Sequence, residues 1–434
     1  MSRTFAALRI RNYRTLAIGS LLSNIGTWMQ RVAQDWLVLV VTGSAGALGL
    51  TTGLQFLPTL LLSPLAGVMA DRYSKRVILA WANLGMGLTA LVLALLALGG
   101  AVQAWHIYVL AFVFGCGSAI EIPARQTFVN EMVDRERLPN AVGLNSASFN
   151  LARMLGPAIA GGLIAAFGSG ARATGWVILL NAVSYIAILV SLWRIRPAEL
   201  TPVPRLTSSK GQLKLGLQYV RGRPDIMLVM AVVFCAGTFG LNFQMTTALM
   251  ATGVYHKGAG EYGLLGSIIA LGSLAGSLHA ARRTSSRQRL VIVSAIVFGC
   301  TEVVAGLMPT YVTFALVLPL CGVTALTTIT SANAFVQMSV DPEMRGRVMA
   351  LYMMIFMGGT PFGSPLLGWV ADHFGARWTL TGGGALTALG AAGSALLLGR
   401  YQGVALAAHW DAGPHLQIVI RESQEAIESV ATSP

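Results

Sequence analysis

Apolar residues along this chain neither recur with the period of a surface helix nor alternate as in a half-buried strand. They continue in stretches of about 20 residues broken by short polar or basic segments; Leu84 to Ala101 is one such run. That length suits a helix crossing a bilayer core, whereas a membrane barrel would show alternating segments of about 10 residues. Lipid offers no partner for backbone amides, so helices that satisfy them internally are the remaining solution. The pattern predicts twelve spans, over residues 15–40, 47–70, 77–99, 104–124, 142–167, 174–193, 226–250, 260–281, 289–307, 310–333, 347–371 and 377–399.

Composition removes the soluble alternatives. Of 434 residues 55% are hydrophobic and 11% charged, against about 25% charged in soluble domains. The net charge of +13 first suggests nucleic acid, but the basic residues sit in short clusters between apolar runs, where they report sidedness instead. With the N-terminus inside, 25 of the 30 Arg and Lys residues fall on inside segments. The outside loops hold only Arg172, Lys257 and Arg377, and two more, Arg31 and Arg153, lie within spans. Both termini are therefore expected in the cytoplasm, with the first span retained and not cleaved as a signal peptide. Cys116, Cys235, Cys300 and Cys321 show neither disulfide nor metal spacing, and His106 and His279 stand at opposite faces. No cofactor and no metal are expected.

Residues 194–225 form the longest inside loop, with seven basic residues and several prolines. It reads as a linker between an N-terminal six-helix bundle, residues 1–193, and a C-terminal one, residues 226–400, followed by a cytoplasmic tail, residues 401–434. Leu213 to Val220 is either an amphipathic helix at the inner surface, with Lys214 and Arg221 near phosphates, or a solvated connection. The tail is either a short helix or without order. An internal repeat supports two halves: a shift of 207 lays Pro123–Gly168 on Thr330–Gly375 without a gap, and 11 of 46 positions match, among them Gly156 with Gly363 and Gly161 with Gly368. Repeat-built transporters have this organisation.

Between spans two and three stands Gly67-Val68-Met69-Ala70-Asp71-Arg72-Tyr73-Ser74-Lys75-Arg76. Gly67 permits close backbone approach, Asp71 at a helix end can accept from a neighbouring helix N-terminus, and Arg72, Lys75 and Arg76 can bridge to that carboxylate or to lipid phosphate. Such a latch favours one conformational state without touching cargo. This loop resembles the Gly-x-x-x-Asp-Arg-x-Gly-Arg-Lys pattern of the major facilitator superfamily, with Ser74 in place of the later glycine. Gly368 to Asp372 repeats the glycine–acid spacing after span eleven, on the other side. Thr27-Trp28-Met29-Gln30-Arg31-Val32-Ala33-Gln34-Asp35-Trp36, Pro123-Ala124-Arg125-Gln126 and Asn150 to Pro157 are similar to the bacterial branch that holds the enterobactin exporter and several drug efflux proteins. The resemblance implies an all-α polytopic membrane protein of the major facilitator fold, twelve transmembrane helices in two pseudo-symmetric six-helix bundles, exporting from the bacterial cytoplasm across the inner membrane with protons as coupling ion.

Gly156, Pro157, Gly161 and Gly162 in span five resemble the glycine–proline motif of proton-coupled antiporters in that superfamily. Physically, proline removes one amide and kinks the helix, while the glycines allow close packing. Away from the span ends, the charged side chains within spans are Arg31, Asp35, Glu121, Arg153 and Glu302, where charge is costly and invites a partner or a water path. Arg31 and Asp35 are spaced for one helix face. Asp35 is the first candidate for proton coupling and Glu302 the second, with a structural Arg31–Asp35 pair as the alternative. Arg153 is expected to bind an anionic cargo group, to organise Asp35 or to answer Glu121; Glu121 and Arg125 belong to a gate or charge network.

The resemblance implies that spans one, four, seven and ten face a central cavity. The cavity candidates are Asn24, Trp28, Gln34, Arg153, Phe234, Thr238, Phe239, Asn242, Gln244, Thr324, Thr327, Thr328 and Asn333. Aromatic surfaces with spaced hydrogen-bond groups suit a bulky amphipathic small molecule. A proton-coupled exporter is the leading expectation, working as a monomer in contact with membrane lipids and without nucleic acid. An importer or uniporter on the same scaffold is the alternative, followed by a nontransport receptor or assembly protein. No enzyme is expected, because no nucleophile, acid–base pair or metal cluster is assembled.

Overall fold

The computed structural model describes residues 3–201, 212–281, 288–401, 404–409 and 415–420. Residues 3–4, 63–68, 70–72, 212–213, 281 and 398–401 and both tail strands are described by backbone alone. Among the described residues, eleven helical units are long and apolar enough to cross a membrane. The twelfth is α1 (Arg11–Thr42), which is 32 residues long but carries Asn24, Gln30, Arg31, Gln34 and Asp35, polar groups that lower its hydropathy. It is followed by α2 (Ala45–Arg72), α3 (Lys75–Leu98), α4 (Ala104–Val129), α5 (Leu138–Ala166) and α6 (Ala171–Arg194). Gly43, in the left-handed region at φ 63°, closes α1, and Ser44 caps α2 by accepting from the Ala47 amide at 3.2 Å. Outward faces carry Trp81, Leu95, Val312 and Leu389, all exposed; on a chain of this kind that apolar surface is covered by lipid.

In the second half, α8 (Pro224–Cys235), α9 (Phe243–Leu249), α10 (Ala259–Ala281), α11 (Gln288–Leu307), α12 (Tyr311–Ser339), α13 (Arg345–Gly358), α14 (Thr360–Phe374) and α15 (Arg377–Tyr401) follow the linker helix α7 (Gln212–Arg221). Within each half the helices pack as a bundle: α6 on α1 and α3, α2 on α4, α10 on α12 and α11 on α15. The halves meet along two seams, α5 with α10 and α2 with α14. Both are densest at the end of the bundle away from the termini, called the distal end below.

Two spans expected as continuous helices are broken. Span seven runs from α8 into a π-helical turn at Ala236–Gly240, then α9 and a second π turn at Met250–Val254. Span eleven keeps helical backbone angles at Gly359 (φ −69°, ψ −40°) between α13 and α14, but its hydrogen-bond ladder is interrupted there, where Gly358, Gly359 and Pro361 lower helical stability. The breaks interlock. A methyl at Gly359 would stand 2.5 Å from the Thr238 hydroxyl, and one at Gly363 1.8 Å from the Thr238 carbonyl oxygen, so glycine is what admits the π turn.

In the linker, α7 buries Gly216 and Val220 against α13, and the Tyr219 hydroxyl donates to Asp341 at 3.1 Å. Lys214 and Arg221 remain exposed. The tail, expected as helix or without order, pairs Val404–His409 antiparallel with His415–Ile420. Its second strand is rich in β-branched residues, which favour extended backbone.

Candidate functional site

Helical spacing puts Asn24, Trp28, Arg31 and Asp35 of α1 on one face. The first three border a central cavity of about 430 Å³ between the halves. Trp28 is held by a glycine on the neighbouring helix, since a methyl at Gly156 of α5 would lie 2.5 Å from the Trp28 Cβ. One turn back along α5, Arg153 lays its guanidinium over the same indole at 5.8 Å; Arg31 approaches that ring at 4.9 Å and Phe56 at 5.5 Å. Phe149 meets Trp28 edge-on at 5.8 Å. Charge in this wall is unbalanced. Glu121 pairs with Arg125 at 2.9 Å, whereas no carboxylate of the described residues lies within ion-pair distance of Arg31 or Arg153. Arg153 thus does not answer Glu121.

Asp35, only 5% exposed, stands one turn beyond Arg31 towards the distal end. Its Oδ2 accepts from the Tyr262 hydroxyl of α10 at 2.9 Å and from Gln244 Nε2 of α9 at 3.3 Å. Both donors belong to the opposite half. The Tyr262 oxygen is also 3.2 Å from the Gln244 carbonyl, and a phenol has one proton, so it donates to one of these acceptors at a time. Asp35 therefore joins the halves instead of closing a local pair with Arg31.

Other candidates fall elsewhere. Arg125, Pro157, Asn242 and Gln244 line the cavity. Gln34 stands outside it and donates to Gln55, a lining residue, at 3.1 Å. Phe234 faces outward at 45% exposure; Thr238 packs on Gly359 and Gly363, and the Phe239 carbonyl abuts Gly383. On α12 the wall is Ala325, Leu326 and Ile329. Thr324 meets Thr301 at 3.2 Å, Thr327 and Thr328 are buried in packing, and Asn333 accepts from Gln337. Glu302 is buried among α11, α15 and the π turn, its Oε2 2.8 Å from where a Gly240 methyl would be and without a hydrogen-bond partner.

The loop motif acts within its own half where it is described. Lys75 pairs with Glu131, and Arg76 caps the C-terminus of α6 by donating to the Leu192 and Trp193 carbonyls at 2.7 and 2.9 Å. Gly67, Asp71 and Arg72 lie on the α2 backbone, and their side chains are outside the described residues. In the span-five motif, Gly161 meets the Ala259 carbonyl and Gly263 of α10 across the seam, while Gly162 faces open space.

Sequence reasoning missed Tyr262, Gln55 and the role of Asp372. A lone tyrosine in an apolar span was the signal for the first, because a phenol in lipid needs a partner. Asp372 crosses the second seam: from the end of α14 it accepts from Ser44 Oγ at 2.9 Å and from the Ala45 and Gly46 amides at 2.8 Å each, capping α2 from the opposite half.

Residues 2–424 match the family described as transmembrane secretion effector. The chain is 27% identical over 368 residues to the staphyloferrin A transporter of Staphylococcus aureus, covering 82% of this chain and 88% of that one. It is 27% identical over 378 residues to the multidrug efflux pump Tap of Mycolicibacterium fortuitum, covering 84% and 90%. With the enterobactin exporter of Citrobacter koseri the identity is 24% over 359 residues, covering 82% and 84%. Among solved structures, a bacterial homolog of the human lysosomal transporter Spinster, inward-facing and occupied, superposes with a TM-score of 0.69 at 16% identity, covering 88% of this chain and 95% of that chain. That likeness concerns the fold.

Proposed function

The chain belongs to the transmembrane secretion effector family of the major facilitator superfamily, whose members are transporters and not enzymes, and from that membership we propose a proton-coupled exporter of bulky amphipathic small molecules. The supporting observation is the Asp35–Tyr262–Gln244 contact, which joins a titratable group on one half to donors on the other at the distal rim of the cavity. A carboxyl group there exchanges its proton when the halves part and water enters, so protonation and opening are linked. The bias of basic residues supports cytoplasmic termini and an outward-pointing distal end; the closed distal seams then correspond to a cavity loaded from inside. Residues 1–193 and 226–400 act as the two rocking units, joined by 194–225, in a monomer of the bacterial inner membrane, with residues 401–434 as a cytoplasmic tail.

The relatives' printed names suggest the trial cargoes: enterobactin, staphyloferrin A and a drug panel, each presented to proteoliposomes under an imposed pH gradient. Transport with countermovement of protons is expected for at least one. Asp35→Asn is expected to abolish uphill accumulation while leaving downhill exchange; full proton-driven accumulation by that variant would remove Asp35 from the mechanism.

A further inference from the structure

Arg31, Trp28 and Arg153 form a unit that alternating access does not require. Two guanidiniums approach one indole, at 4.9 and 5.8 Å from its centroid, and Arg153 lies within the field of Arg31. Like charges in a low-dielectric wall repel; Asp35, one turn away, acts on Arg31 through its field alone, and among the described residues no carboxylate forms an ion pair with either arginine. Asp35 is on the right face of α1, but its carboxylate is committed across the seam to Tyr262 and Gln244. The orphaned polar atoms of Asn24 and Arg31 in this wall are both donors, Asn24 Nδ2 and Arg31 Nε. A ligand that satisfies them brings acceptors and negative charge. Phe56 and Phe149 beside the indole supply flat apolar surface for the remainder.

We infer that this unit is the recognition subsite of the cavity, and that its cargo is an amphipathic organic anion: a carboxylate-bearing molecule whose acidic group is held between Arg31 and Arg153 and whose aromatic or apolar body lies against Trp28, Phe56 and Phe149. The assignment rests on reading the cavity as a cargo site and selects among amphipathic molecules by sign of charge. Bidentate guanidinium–carboxylate geometry makes arginine the suited residue.

Matched probes test it in the full chain reconstituted in nanodiscs: dansylglycine, its neutral amide dansylglycinamide, and the cationic dansylcadaverine, with binding followed by dansyl fluorescence. The carboxylate is expected to bind about tenfold or more tighter than the amide, the size of a charged hydrogen bond. Arg153→Gln and Arg31→Gln are expected to erase that preference with little change in amide affinity, and Arg153→Lys to keep much of it. Equal or tighter binding of the amide or the cation overturns the assignment. So does an undiminished carboxylate preference in both Gln variants when they remain monodisperse with the wild-type unfolding midpoint; where Arg31→Gln does not fold, Arg153→Gln decides. Binding needs neither protons nor direction. Proton-driven export of cations alone would keep the proposed function and reject the anion subsite, and anion-selective binding without proton-linked flux would do the reverse.

Discussion

The two seams between the halves are repeat-related, yet they are locked differently. On the α5–α10 seam, a methyl at Gly161 would stand 2.5 Å from the Ala259 carbonyl oxygen and against the backbone of Gly263; on the α2–α14 seam one at its repeat mate Gly368 would stand 2.6 Å from the Ala45 carbonyl oxygen and against Gly46. Each glycine thus receives the first turn of a helix from the opposite half. The polar contacts do not follow the repeat. Asp372 caps α2 across its seam, while its mate on α5 is Ala165, whose Cβ is 3.6 Å from where a Gly260 methyl would be. The α10 start is served within its own half, Glu261 accepting from the Gly258 amide at 3.2 Å. The α5–α10 seam instead has Ser267 donating to the Met154 carbonyl at 2.6 Å, with Tyr262 of α10 reaching Asp35. Close backbone approach is the shared requirement, and each polar lock is placed for its own seam.

If that division is right, bulk in either seam has the largest effect. Gly161→Val and Gly368→Val each force the helices apart, at about 1–3 kcal/mol of overpacking, and shift the population towards distal opening by about tenfold or more. The readout is labelling of Cys at Thr247, a cavity-wall position, by an impermeant thiol reagent after replacement of the four native cysteines. Both variants should raise it. A rise in one alone would show that the seams are not sterically equivalent.

Removing a polar lock comes next and separates the seams. Tyr262→Phe leaves Asp35 with Gln244 alone, a loss of about 1–3 kcal/mol for a buried charged acceptor. Distal labelling should rise, and proton-driven accumulation should fall about tenfold. Increased labelling with unaltered pH dependence of transport would reduce the contact to a structural clasp.

The contrast also marks what the chain makes legible. Spans and halves follow from apolar length and basic clustering, because lipid imposes both. The α1 stripe of Asn24, Trp28 and Arg31 is legible because its polar and aromatic groups share a face. The facing of α12 is not: Thr324 and Thr328 satisfy their hydroxyls on the Leu320 and Thr324 carbonyls of their own helix, so a threonine in a span does not point to water. The breaks in spans seven and eleven are legible unequally. They are matched to each other, Thr238 against Gly359 and Gly363; Gly358, Gly359 and Pro361 mark the one in span eleven locally, whereas the π turn of span seven follows from its partner. Asp372 was visible as a repeated glycine–acid spacing, but its partner, the start of α2, lies 326 residues away in sequence.

Asp372 therefore offers the finest probe of the comparison. Its cap is solvent-accessible, so Asp372→Asn should cost about 1 kcal/mol and raise distal labelling about fivefold, less than either change above. Placing the acid on the other seam, Ala165→Asp in the Asp372→Asn background, should not restore closure. The α10 N-terminus is already occupied by Glu261, and a second carboxylate there meets like charge instead of free amides. Adding Glu261→Gln to that double variant removes the competitor, and only then should labelling return towards the wild-type level. Restoration by Ala165→Asp alone would mean that the lock is set by the repeat and not by which helix start is left uncapped.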